Sequence, residues 1–386
     1  MVKTRNRLWL PVEILFRQID ERWPTDCYLP GAATISPRMN TAQRAAVIEP
    51  FIPRPPADVA PLRNAFSGMV AKQWEKYLPS ATTGGSLGAT HAQSVKARFI
   101  AEMYARACYS MLLLSAGGPA LLRFPVRATA MLPLSRGIAI ALGGALLSGL
   151  HRLLPYALHR QLLLTSALMG ALDVVLDEAA SSGEAAVLRI ASLITPHAPT
   201  TLLPAEQPIA TLTRMIRHGE SSWQSGYWET VLVPAVHAYC LAEALAVAHA
   251  PDPKGMGHRW AGIDSATKGM WYVVGPCMGL SGNLARFEKT EWNREQQWMA
   301  DTSLLMQMID DWVDQDEDSG ARVTPVVAGN WNTTSVDQLY RKTARDLATM
   351  LTENRIRNHV LQELFLDLYN DYLHVALEAM RTGVAA

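Results

Sequence analysis

Cysteine is scarce in this chain. Its four residues, Cys27, Cys108, Cys240 and Cys277, lie far apart, with neither CxxC spacing nor a Cys/His ligand pattern. That excludes a disulfide framework and a thiolate metal centre, and predicts reduced, mostly core thiols of an intracellular, cytoplasmic protein. Charge is low at 18%, and Lys plus Arg equals Asp plus Glu at 35 each, so no basic surplus exists to hold nucleic acid. Apolar runs such as Gly137 to Leu150 and Gln161 to Leu172 fall short of the roughly 20 residues that span a bilayer, and no spanning segment is expected. The basic start, MVKTRNRLWLPVEILFRQ, has only a short apolar patch before Glu13, so no signal peptide is expected. Period-two alternation is missing throughout, which excludes a sheet protein.

What is present is helical periodicity and enough apolar residues, 49%, for a large core. Residues 1–62 carry Pro30, Pro37, Pro50, Pro53, Pro55, Pro56 and Pro61 and are expected to form an irregular arm packed on the rest. Residues 63–386 are expected to form a single all-α bundle. Its helices are predicted over Ala65–Tyr77, Ser94–Leu114, two or three segments between Pro125 and Ala180, a segment ending near Ile194, Ile209–His218, Val231–Ala250, Ser265–Met278, Arg286–Asp318, Val336–Glu353 and Arg357–Met380.

The charge that exists is unevenly placed. Between Glu102 and Asp173 there is no acidic residue, and between Arg294 and Arg322 there is no Lys or Arg. Within the second gap, Met306 to Asp318 reads MQMIDDWVDQDED. On a helix, Asp310, Asp314 and Asp318 fall at i, i+4 and i+8 beside Asp311, while Leu304, Leu305, Met308, Ile309, Trp312 and Val313 fall on the other side. A solvated acidic face would intersperse basic residues at i+4, because like charges at that spacing repel. This one does not, so it needs an outside counter-charge, and an oxygen-only donor set suits Mg²⁺ bridging to phosphate.

A second acidic pair sits in the apolar run Leu162 to Leu176, where Asp173 is followed one turn later by Asp177 and shares a face with Ser166. A carboxylate there needs a cation or a hydrogen-bond network. Arg152, Arg160 and Arg189 are the nearest basic residues for a purely structural pairing. The functional alternative sets the two acidic helices against each other as opposite walls of a divalent-ion cluster that grips a diphosphate. Trp223, Tyr227, Trp228, Trp271, Tyr272, Phe287, Trp292, Trp298 and Trp312 are available either for the core or to line a pocket that tolerates positive charge.

The pairing of a DxxxD helix with DDWVDQDED resembles class I isoprenoid enzymes, and most closely the large-terpene synthase (class IB) subclass. Its second motif, approximately DYFIDQEED, aligns with Asp310, Asp314, Gln315, Glu317 and Asp318. Its first, approximately DYLDNLxD, aligns with Gly170 to Asp177, where Gly170 replaces the leading Asp and Val174 replaces the Asn. The resemblance implies an isoprenoid-synthase-like bundle with a central cavity, three Mg²⁺ ions, and a terpene cyclase, a lyase that ionises a linear prenyl diphosphate. Farnesyl diphosphate is the first candidate substrate, which would make the product a sesquiterpene hydrocarbon. It implies Asp173, Asp177, Asp310, Asp314 and Asp318 as metal ligands, with Asp311 behind them. Arg286, Lys289 and Arg322 would hold the diphosphate, Trp271 and Trp312 would line the cavity, and the protein would act as a monomer or homodimer.

Two other enzyme classes use similar metal logic. A chain-elongating prenyl diphosphate synthase needs a second basic pocket, for which only Lys72 and Lys76 stand near the expected place; a head-to-head synthase also carries two separated acidic motifs. A non-enzymatic all-α scaffold that docks a basic partner would leave Asp173 and Asp177 unexplained. If the acidic stripe holds metal, Asp310→Ala or Asp314→Ala lowers turnover at least about a hundredfold with the fold retained, measured by steady-state kinetics and circular dichroism. Asp316→Ala, off the stripe, should matter less, and an equal loss there would show the helical phase to be wrong.

Overall fold

The computed structural model describes residues 39–77, 87–114, 135–141, 143–144, 156–194, 201–220, 228, 232–248, 294–315, 333–353 and 358–381. Every regular element among them is helical, in keeping with the all-α expectation. None of their helices is long and apolar enough to cross a membrane. The expected helix at Ser265–Met278 lies outside the described residues.

The described part of the arm, residues 39–62, contains regular helix. In the proline-free interval between Pro37 and Pro50, helix α1 spans Thr41–Ile48. Asn40 starts it with a capping box: the Gln43 backbone N–H donates to Asn40 Oδ1 at 2.9 Å, and the Asn40 N–H donates to Gln43 Oε1 at 3.0 Å. Two single 3₁₀ turns follow, at Glu49–Phe51 and Ala57–Val59. The next helix, α2, begins at Ala60 and runs to Tyr77, so Pro61 sits in its first turn, where a missing N–H costs nothing.

Helix α3, His91–Leu114, likewise starts earlier than its apolar period predicts, because Thr90 and Gln93 form a second reciprocal cap, at 2.8 and 3.2 Å. Helix α4 runs unbroken over Tyr156–Ser181, and residues 161–172 are all buried. A helix apolar on every side belongs at the centre, and α4 packs against α2 and α3 and against the helices that follow it, α5 (Glu184–Ser192), α6 (Gln207–Glu220) and α7 (Val233–Ala248). Gly183, at φ 94°, makes the tight reversal between α4 and α5 in a conformation that disfavours side chains.

A second group forms around α8 (Arg294–Val313), which packs on α9 (Thr333–Glu353), α10 (His359–Arg381) and, from the other end of the chain, α1. Polar contacts fix α8 at its start. Trp298, 2% exposed, donates its indole N–H to the Thr343 carbonyl at 2.9 Å and lies 5.8 Å from the Tyr369 ring. The Lys342 ammonium pairs with Asp301 and with Asp346. The two groups are tied by ion pairs: Arg136 reaches Asp58 at 2.6 Å and Asp367 at 2.5 Å, and Arg63 reaches Asp371 at 3.0 Å.

Among the described residues, the most extensive helix contact is that of α3 with α4. Ala97, Ala101 and Ala105, spaced by four and wholly buried, present a smooth stripe, and Gly170 faces it. A Cβ at Gly170 would collide with the Ala97 carbonyl oxygen and lie 2.9 Å from the Ala101 nitrogen, both backbone atoms that cannot swing aside. Gly170→Ala, which in an isolated helix would gain about 1 kcal/mol, is therefore expected to cost about 1–3 kcal/mol here. Urea denaturation checks this, and a raised midpoint would show that the helices are not in such close contact.

Candidate functional site

The α3–α4 seam sets the site. The helices run antiparallel, since residues rising along α4 from Gly170 to Glu178 meet residues descending along α3 from Ala101 to Gln93. Gln93 donates to Glu178, and one turn further along α3 the Lys96 ammonium meets Asp177 Oδ2 at 3.3 Å. Asp173, one turn back on α4, accepts at 3.1 Å from the phenol of Tyr239 on α7. Thus the two carboxylates of the first acidic pair are held by groups from two different helices.

Lys96 also reports on the second acidic helix. Partial burial pulls its pKa down, but the charges of Asp177, Asp173 and Asp310 more than reverse that, and the net shift is upward. The Lys96 ammonium therefore feels the charge of Asp310 on α8 as well as those of Asp173 and Asp177 on α4.

Tyr239 is closed in on every side. Burial, followed by the negative charges of Asp173, Glu243 and Asp177, raises its pKa well above the usual phenol value, so it stays a hydrogen-bond donor. Glu243, wholly buried, lies one turn along α7 on the same face. Burial and the Glu243 charge likewise push the Cys240 thiol upward, so this cysteine is inert.

On α8 the acidic stripe is less regular than a helical wheel implies. The described helix ends at Val313, and Asp314 lies just beyond, its backbone N–H still donating to the Asp310 carbonyl at 2.9 Å. Asp311 is 3% exposed and accepts from Gln307 Nε2 at 2.8 Å. Trp312, about 200° around the helix from Asp310, donates its indole N–H to the Arg44 carbonyl of α1 at 3.3 Å. It therefore anchors the arm and does not share the Asp310 face. Asp318, Arg286, Lys289, Arg322 and Trp271, as well as Asp316, lie outside the described residues.

Several basic and aromatic residues have structural work. Arg189, one possible partner for Asp173, instead pairs with the buried carboxylate of Glu206 at 2.6 and 2.9 Å. Arg341 pairs with Asp337. Trp298 serves the α8–α9 contact, and Trp228 is buried with the Arg217 guanidinium 5.6 Å from its ring centre. Of the two positions where the sequence differs from the large-terpene synthase motif, Gly170 lies against the α3 backbone with no room for a side chain, and Val174 is 4% exposed in the core.

Among the described residues no three His, Cys, Asp or Glu side chains converge closely enough to enclose one ion. Asp173 and Asp177 stand one turn apart on α4 with the Lys96 ammonium beside Asp177. Carboxylate oxygens are the donor type that Mg²⁺ takes when water and phosphate oxygens complete its shell.

Lys96, Tyr239 and Glu243 were not singled out by sequence reasoning. Glu243 had a signal, being the one formally charged residue between Val233 and Ala248. Tyr239→Phe removes the donor to Asp173 and is expected to lower stability by about 1.5–3 kcal/mol, the range for a hydrogen bond to a charged group. An unchanged urea midpoint would show that the bond holds nothing in place. Comparison with known protein families, with functionally described proteins and with solved structures finds no match to this chain.

Proposed function

We infer that the protein is a Mg²⁺-dependent class I terpene synthase that acts on a linear prenyl diphosphate. The observation that carries this reading is the position of Lys96, whose ammonium lies 3.3 Å from Asp177 and in the field of both Asp173 and Asp310. The reading sets the second acidic helix across from this pair. A docking scaffold has no need of a carboxylate pair held by an ammonium on one side and a buried tyrosine on the other.

In this reading Asp173 and Asp177 hold metal from the α4 wall, and Asp310 and Asp314 hold it from α8, with Asp318 completing that side. When bound, Mg²⁺ neutralises the diphosphate and makes it a leaving group. Tyr239 keeps one oxygen of Asp173 occupied, so that its other oxygen faces the ligand in one orientation. Asp311, already bonded to Gln307, supports the Asp310 turn from behind. Arg286, Lys289 and Arg322 would take the diphosphate oxygens, and aromatic residues such as Trp271 would shield the substrate cation from water. Farnesyl diphosphate is the first substrate to test.

The purified protein should release pyrophosphate from farnesyl diphosphate in the presence of Mg²⁺ and lose that activity in EDTA. Cyclic hydrocarbons should appear in the headspace by gas chromatography. Release only after addition of isopentenyl diphosphate would mark a chain-elongating enzyme, and no release from substrates of ten to twenty-five carbons would remove the enzymatic reading.

A further inference from the structure

The role of Lys96 follows from where it sits and what it is. Its side chain is 22% exposed and that of Asp177 is 33% exposed, so water reaches the pair from one side. The 3.3 Å separation is longer than the 2.7–2.9 Å typical of a strong charge-assisted bond. A lysine ammonium is a compact point charge on a four-carbon stem, able to move by rotamer change alone. The α3 backbone beneath it cannot follow, because Ala97, the next residue, is pressed against Gly170. The position therefore combines a fixed base with a mobile charge.

We propose that Lys96 is a resident counter-ion of the carboxylate site, which yields Asp177 to the incoming divalent cations and is then taken up by the diphosphate they carry. The inference rests on the reading of Asp173, Asp177 and Asp310 as metal ligands. Without a cation, Asp173 and Asp177 stand one turn apart on α4 with the charge of Asp310 also reaching Lys96, and Lys96 supplies the positive charge that makes this tolerable. A divalent ion bound to Asp177 needs the lone pair that Lys96 now occupies, and two like charges cannot share it. Once a diphosphate arrives, the displaced ammonium has an anion within reach. The residue thus opposes metal alone and favours metal together with diphosphate, which couples the two binding events.

Opposite signs make the idea testable without turnover. Isothermal titration calorimetry would follow MgCl₂ alone, and then inorganic pyrophosphate in saturating MgCl₂, with the wild type and Lys96→Met. Thermal melts without metal would confirm folding. Lys96→Met should bind Mg²⁺ about tenfold tighter, as the removal of a neighbouring like charge predicts, and pyrophosphate at least about tenfold weaker, as the loss of a charged donor predicts. Lys96→Arg should stay near the wild type in both titrations, and Lys96→Gln repeats the comparison if the Met variant does not fold. Shifts of the same sign, or none, overturn the proposal while leaving the metal site standing. A wild type that binds no Mg²⁺ removes both. Opposite shifts in a protein that turns over no prenyl diphosphate would uphold the role of Lys96 and remove the cyclase reading.

Discussion

The contact between α3 and α4 is the constraint from which the site follows. Two helices approach this closely only where side chains are reduced to hydrogen or methyl, and Gly170 opposite Ala97 and Ala101 meets that condition. With the backbones in register, Lys96 has no choice but to face Asp177, and Gln93 to face Glu178. An aspartate at residue 170 would add an oxygen to the acidic wall and lose the seam that positions Lys96. The seam and a side chain at residue 170 exclude each other.

A partly buried carboxylate can be tolerated by neutralisation, by hydrogen bonding or by an opposite charge, and this site uses two of the three. Asp173 takes the Tyr239 phenol, while Asp177 takes the Lys96 ammonium. The difference has chemical content. A phenol held neutral by burial is a steady donor, whereas an ammonium on a long stem is an exchangeable one. The two aspartates share one helix and differ in how easily each can be given to a new partner.

The helices were legible because the apolar period of 3.6 is a direct record of burial; α4, α7, α9 and α10 lie close to where that period puts them. The helix at Thr41–Ile48 was missed because proline density was averaged over 62 residues, although Asn40 and Gln43, spaced for a capping box in a proline-free interval, already mark its start. The carboxylates of the candidate site were legible as anomalies, charges in apolar runs or without basic neighbours. Lys96 and Tyr239 were not, because a single lysine or tyrosine in an amphipathic helix has no anomaly to show. Only the tertiary pairing of α3 with α4, and of α7 with α4, gives them meaning. The wheel that joined Asp310 to Asp314 holds through the helical bond from the Asp314 N–H to the Asp310 carbonyl, at the very end of α8.

The placement of α1 bears on how the chain is made. Its buried face, Arg44, Ala45 and Ile48, docks on α8, α9 and α10, and His374 lies 3.1 Å from the Ile52 carbonyl. Helix α1 ends at Ile48, whereas its first partner, α8, begins only at Arg294. Helices α2 to α7 lie between them and can assemble around α4 before α8 is translated. The buried face of α1 therefore stays uncovered until α8 emerges, and contacts of such long sequence separation close late and slowly. Chaperone demand during expression should thus centre on residues 41–48, whose partners follow α2 to α7 in the chain.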